Sequence, residues 1–151
     1  MRSREFRFPV EISWEGGRRT SAHVAGKQSL EIVPPPEFRG PDPSTWSPED
    51  AFVTAAASCL AVTITGLVER TALPLHALAV SAEGVVGARD DGKFGFTAIH
   101  QTVDLETETG HEEEARSLVA RAEDGCLVSV SLALPVETIV NVRTREAVPI
   151  A

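Results

Sequence analysis

Residues 47–70 read S-P-E-D-A-F-V-T-A-A-A-S-C-L-A-V-T-I-T-G-L-V-E-R, and the fold follows from how this stretch is read. It begins as a helix begins. Ser47 is a capping residue, Pro48 suits the first turn, and Asp50 stands where a capping-box partner belongs. Glu49 and Asp50 also place negative charge at the positive end of the helix dipole. From Ala51 to Val68 the residues are apolar or small on every side. A helix with no polar face is predicted to be buried all round. Cys59 lies in its middle.

Composition sets the broad class. The chain has 151 residues, enough for one domain with a real core. Acidic residues outnumber basic ones 22 to 14, for a net charge of -8, which disfavours nucleic acid or an anionic membrane surface as partner. The first ten residues, M-R-S-R-E-F-R-F-P-V, are basic but lack the apolar segment of a signal peptide. The 51–68 run has the length of a membrane span, but its many alanines, serines and threonines argue for a core helix. A cytoplasmic location without membrane association is expected. In that compartment the two cysteines are two free thiols or a redox pair rather than a structural framework.

Outward from the central helix, strands dominate. Residues 4–14 alternate, with Phe6, Phe8, Val10, Ile12 and Trp14 on one side. Gly16-Gly17 marks a turn, residues 18–25 return as a second strand, and residues 29–33 form a third, which together suggest an antiparallel meander. Five of the ten prolines fall between 34 and 43, making a stiff loop that delivers the chain to the helix. Beyond the helix, residues 77–86 and 94–105 read as a hairpin around Asp90-Asp91-Gly92-Lys93. Residues 107–123 read as a helix with an acidic first turn, stopped by Gly125. Residues 126–133 suit a short helix or a strand, and 136–142 a last strand. The expected class is α+β: a single domain over 1–151, mostly antiparallel sheet packed on a long buried helix. One sheet of six strands does not cover every side of such a helix, so a second copy of the chain is expected to complete the burial.

Several chemistries have no support. His23, His76, His100 and His111 are scattered, and no Cys-x-x-Cys or His-x-x-x-His spacing exists, so no metal is expected. Gly16-Gly17-Arg18 is not a phosphate loop, and no Gly-x-Ser-x-Gly elbow is present. Cys59 and Cys126 each have a plain reading, as small buried hydrophobes. Each also has a chemical one, and Cys126, following Gly125 at a helix end, could start a short helix whose amides favour a thiolate. Arg18 and Arg19 read first as a solvated hairpin tip, and Glu49 as a helix-start residue.

Taken together, the ordered set resembles the OsmC/Ohr family of osmotically inducible and organic-hydroperoxide-resistance thiol peroxidases, in its general OsmC-like branch. The matching pieces are Gly16-Gly17-Arg18, then Ser47-Pro48-Glu49-Asp50 (usually Asn-Pro-Glu), then Ala56-Ala57-Ser58-Cys59, then Gly125-Cys126-Leu127-Val128-Ser129. Leu127 stands where the family usually has proline. The resemblance spans about residues 8–142 and implies roles. Cys59 would attack the peroxide, and Cys126 would resolve the sulfenic acid to a disulfide. Arg18 would lower the Cys59 pKa and polarise the peroxide, and Glu49 would hold Arg18. An external dithiol, lipoyl-type or a small thiol, would reset the disulfide, with no flavin, haem or metal cofactor.

The spacing adds a constraint. The ten residues from Glu49 to Cys59 rise roughly 15 Å along a helix. Glu49 is therefore expected to serve Cys59 of a second subunit, giving an intertwined homodimer with sites at the subunit interface. The alternative is an OsmC-like stress protein that is not a peroxidase and binds a small ligand or thiol.

Overall fold

The computed structural model describes residues 4–147 as six strands and three α-helices. They fall into two compact units that divide between Ala51 and Phe52. The six strands form two three-stranded sheets, not the one sheet expected from sequence.

In the first unit, β1 (Glu11–Trp14), β2 (Thr20–His23) and β3 (Leu30–Ile32) form the expected antiparallel meander. β1 is shorter than the alternation suggests. Its pairing ends at Glu11 opposite His23, and Pro9 just before it has no amide to donate to a ladder. Phe6, Phe8, Val10, Ile12 and Trp14 are all more than half exposed. The proline-rich loop contains a 3₁₀ turn at Pro36–Phe38, and the Val33 amide donates to the Trp46 carbonyl at 2.9 Å to tie its exit to β3. Gly40 is fixed by space: a Cβ there would sit 1.7 Å from the Pro34 carbonyl oxygen.

The predicted capping box is present. Ser47 Oγ accepts from the Asp50 amide at 3.0 Å, and Asp50 Oδ2 accepts from the Ser47 amide at 2.9 Å and from its hydroxyl at 2.8 Å. This starts α1 (Pro48–Thr71), whose first turn lies before the division and whose body belongs to the second unit. Within one chain the helix is not buried all round. Ala56, Leu60 and Ile64 are sealed, at the four-residue spacing of one face. On the opposite face Thr54, Ser58, Val62 and Thr65 are exposed, Val62 by 65%. By length and composition α1 could also cross a membrane.

α1 ends at Ala72, whose φ of 57° is left-handed and whose amide donates to the Val68 carbonyl at 2.9 Å. That backbone favours glycine. Ala72→Gly is expected to stabilise the chain by about 1 kcal/mol and raise its melting temperature by roughly 3 °C; thermal unfolding followed by circular dichroism checks this.

The second sheet is β4 (Ala77–Ala88), β5 (Phe94–Glu108) and β6 (Val136–Arg145), in that order. β4 and β5 are an antiparallel hairpin, as read from sequence. β6 pairs parallel to β5, because the chain crosses back through α2 (Glu112–Gly125) and α3 (Leu127–Val130) before entering it. β5 runs further than its alternation suggested and takes Thr107, which bonds the Pro74 carbonyl at 2.9 Å, away from the predicted helix. One buried cluster joins Leu60 and Ile64 of α1, Val103 and Leu105 of β5, and Leu118 and Val119 of α2, and it ends at Cys126.

Candidate active site

Cys59 and Cys126 meet at the edge of that cluster. Cys126 is part of it, and Cys59 packs against it. Both thiols are free. They differ in access: Cys59 is half-buried, while Cys126 is fully enclosed.

Local structure explains how each is held. Cys59 sits mid-helix, where position is set by the α1 ladder and by the face that seals Ala56, Leu60 and Ile64. Cys126 is the single residue between α2 and α3, with extended backbone at φ -72° and ψ 104°. Its carbonyl accepts from the Val130 amide at 3.0 Å, closing the one-turn helix α3. A helix start leaves its first amides without carbonyl partners, and those of Leu127, Val128 and Ser129 favour the thiolate forms of the two cysteines. The Cys126 thiol donates to Ser129 Oγ at 3.3 Å.

These surroundings drive the two thiols apart. Burial pushes the Cys126 thiol up. The Ser129 hydroxyl and amide, the Cys59 thiol and the Val128 amide together outweigh this and bring it below the usual thiol range. Burial also pushes the Cys59 thiol up. The Val128 and Leu127 amides oppose that, but the neighbouring Cys126 group adds to it, and Cys59 stays above the usual range.

Arg18 and Glu49 lie in the first unit. Arg18 Nη1 donates to the carbonyls of Phe38 at 2.8 Å and Arg39 at 3.0 Å. Arg19, its neighbour, pairs with Glu31 at 2.5 Å and with Asp42 at 3.9 Å. Arg18 and Glu49 form no ion pair with one another in the chain. Glu49 Oε2 is buried without a hydrogen-bond partner. Of the sequence candidates, the fold therefore brings Cys59 and Cys126 together. It ties Arg18 to a loop and leaves one Glu49 oxygen unsatisfied. Ser129 entered the sequence reading only as the last letter of a motif. Its spacing, three residues after Cys126, is the signal that it could reach back to the sulfur.

Comparison with known proteins gives a consistent picture. A family model described as OsmC-like protein matches residues 40–141. The uncharacterized protein YmaD of Bacillus subtilis is 28% identical over 127 residues, covering 81% of this chain and 83% of its own. An OsmC-like protein of unknown function from Vibrio cholerae superposes with a TM-score of 0.82 at 17% identity, covering 91% of this chain and 100% of that one. An organic hydroperoxide resistance protein from Elizabethkingia anophelis, with thiocyanate bound, gives a TM-score of 0.76 at 19% identity, covering 95% and 99%.

Proposed function

The chain belongs to the OsmC-like protein family, and from that premise we propose that it is a cysteine-based hydroperoxide reductase. The observation that carries this reading is the pair of free thiols that the fold brings together, one reachable and one enclosed. Access assigns the first step. Cys59 thiolate attacks the terminal peroxide oxygen, the O–O bond breaks, and an alcohol leaves with one proton, so Cys59 becomes a sulfenic acid. Its enclosed neighbour takes the second. The Cys126 thiolate attacks the Cys59 sulfur, the S–O bond breaks, and hydroxide leaves to take up a proton as water. An external dithiol, lipoyl-type or a small thiol, then reduces the Cys59–Cys126 disulfide and is itself oxidised.

The first step needs a positive charge that the Cys59 surroundings within its own unit do not supply. In this reading Arg18 and Glu49 of a second subunit complete the site across a homodimer. Three features support it. The exposed stripe of Thr54, Ser58, Val62 and Thr65 carries only small, uncharged side chains, which a second helix can approach closely. The arm carrying Phe6, Phe8, Val10, Ile12 and Trp14 leaves large side chains in water. The unpartnered Glu49 oxygen awaits a donor. Two free thiols suit the cytoplasm, where they stay reduced.

The test is consumption of cumene hydroperoxide and hydrogen peroxide with dihydrolipoate as reductant. Turnover is expected, faster with the organic peroxide, and Arg18→Ala is expected to slow the first step far more than Arg19→Ala, by roughly a hundredfold against severalfold. The reverse ranking would move the charge-supplying role to Arg19. The raised Cys59 thiol is also the observation behind the second reading, an OsmC-like stress protein that binds a small ligand or thiol without turnover; absence of turnover with either peroxide would favour it.

A further inference from the structure

The inner face of β5 carries two buried polar side chains, and they are treated differently. Thr107 is satisfied by the Pro74 carbonyl. Gln101 is only 2% exposed, yet its Oε1 has no partner. Thr138, directly opposite it on β6, also has a buried hydroxyl oxygen without a partner. Two neighbouring orphaned polar atoms would cost a few kcal/mol if nothing ever bonded them. Both residues line one cavity of about 290 Å³.

The rest of that cavity says what would bond them. Its other polar lining is Glu123, Asp124 and Ser129, and among the described residues no lysine, arginine or histidine contributes. Glu123 and Asp124 lie in the last turn of α2, which holds no basic residue. The negative end of the helix dipole and two carboxylates therefore act together, and both favour a cation. Leu60, Val130 and Val136 add an apolar wall. A hydrated metal ion gains nothing from such a wall, whereas an alkyl chain does.

We propose that this cavity is a binding site for a small aliphatic primary amine. The ammonium donates to Gln101 Oε1 and Thr138 Oγ1 under the field of Glu123 and Asp124, and the alkyl chain lies along Leu60 and Val136. One wall of the cavity, Ser129, also bonds the Cys126 thiol; the proposed contacts are to Gln101 and Thr138, so the test reads binding and uses no activity.

Isothermal calorimetry on the full chain at low salt compares diaminobutane, butylamine and butanol. Both amines are expected to bind saturably with a Kd of about a millimolar or tighter, a value within reach of a ligand with five or six heavy atoms. Butanol is expected to bind at least about tenfold more weakly, since it lacks the charge. Gln101→Leu and Thr138→Val should each weaken amine binding about tenfold. Gln101→Leu should also melt no lower than the parent, because it removes an orphaned group, which separates lost binding from lost folding. Three results would overturn the proposal: no saturable heat with either amine, equal affinity for butanol, or folded variants that bind as tightly as the parent. Displacement of the amine by magnesium at equal concentration would also overturn it, since the site would then read charge alone.

Discussion

Cys59→Ser is expected to abolish hydroperoxide turnover, lowering the rate by roughly three orders of magnitude or more, the scale on which loss of a reacting nucleophile falls. The reason is chemical. A serine hydroxyl at neutral pH is neither ionised nor able to pass through a sulfenic acid. The substitution changes one atom at a half-buried position on a helix whose packing rests on Ala56, Leu60 and Ile64, so the fold should persist. Cys126→Ser should behave differently. It leaves the accessible thiol in place, so one equivalent of peroxide is still reduced. The sulfenic acid then persists, because the neighbouring thiol that would consume it is gone, and dimedone traps it. Stopped-flow consumption of cumene hydroperoxide, with and without dihydrolipoate, checks both outcomes. If Cys126→Ser loses the first equivalent while Cys59→Ser keeps it, the two roles are exchanged.

The largest stability effect is expected at Ile64. Its side chain is fully enclosed and joins α1 to Val103, Leu105 and the α2 residues Leu118 and Val119. Ile64→Ala removes buried methyl groups and leaves a cavity, for a loss of about 2–5 kcal/mol. Against a total of about 5–15 kcal/mol this is large, and the melting temperature should fall by roughly 5–15 °C. Val62 makes the informative contrast. It lies two residues away, on the exposed face, and Val62→Ala should cost less than about 0.5 kcal/mol within one chain. If that face packs on a second copy, Val62→Asp should lower the melting temperature and flatten its dependence on protein concentration relative to the parent. Unfolding at several concentrations separates the chain's own core from the subunit face.

The start of α1 was legible because capping is local. Ser47 and Asp50 are three residues apart, and their reciprocal bonds need nothing from the rest of the chain. The hairpin of β4 and β5 was legible for the same reason, through Asp91-Gly92 at its turn. The parallel pairing of β6 was not. Alternation tells which face a strand buries but not which strand lies beside it, and that choice was made by the crossover through α2 and α3. The helix burial was legible only as a composition: small residues run all round α1, but one chain covers a single face.

At the site, the sequence named both thiols but not their inequality. That arises from Ser129 and the free amides of α3, a one-turn helix that pattern reading left open between helix and strand. The adjacent arginines looked alike in sequence. The fold separates them, with Arg19 committed to Glu31 and Arg18 held on two loop carbonyls. Gln101 escaped notice because a polar residue within an alternating strand reads as an outward position. Its inward placement follows from the two-residue period it shares with Ile99, Val103 and Leu105.

In the proposed reaction Cys59 and Cys126 act on one another through a sulfenic acid. The most direct measurement is mass analysis under non-reducing conditions after one equivalent of cumene hydroperoxide, with proteolysis to locate the link. Loss of two hydrogens and a Cys59–Cys126 peptide pair within one chain are expected, both absent from the two serine variants. A chain that stays reduced, is oxidised only at Cys126, or links Cys59 to Cys59 between copies would contradict that reaction.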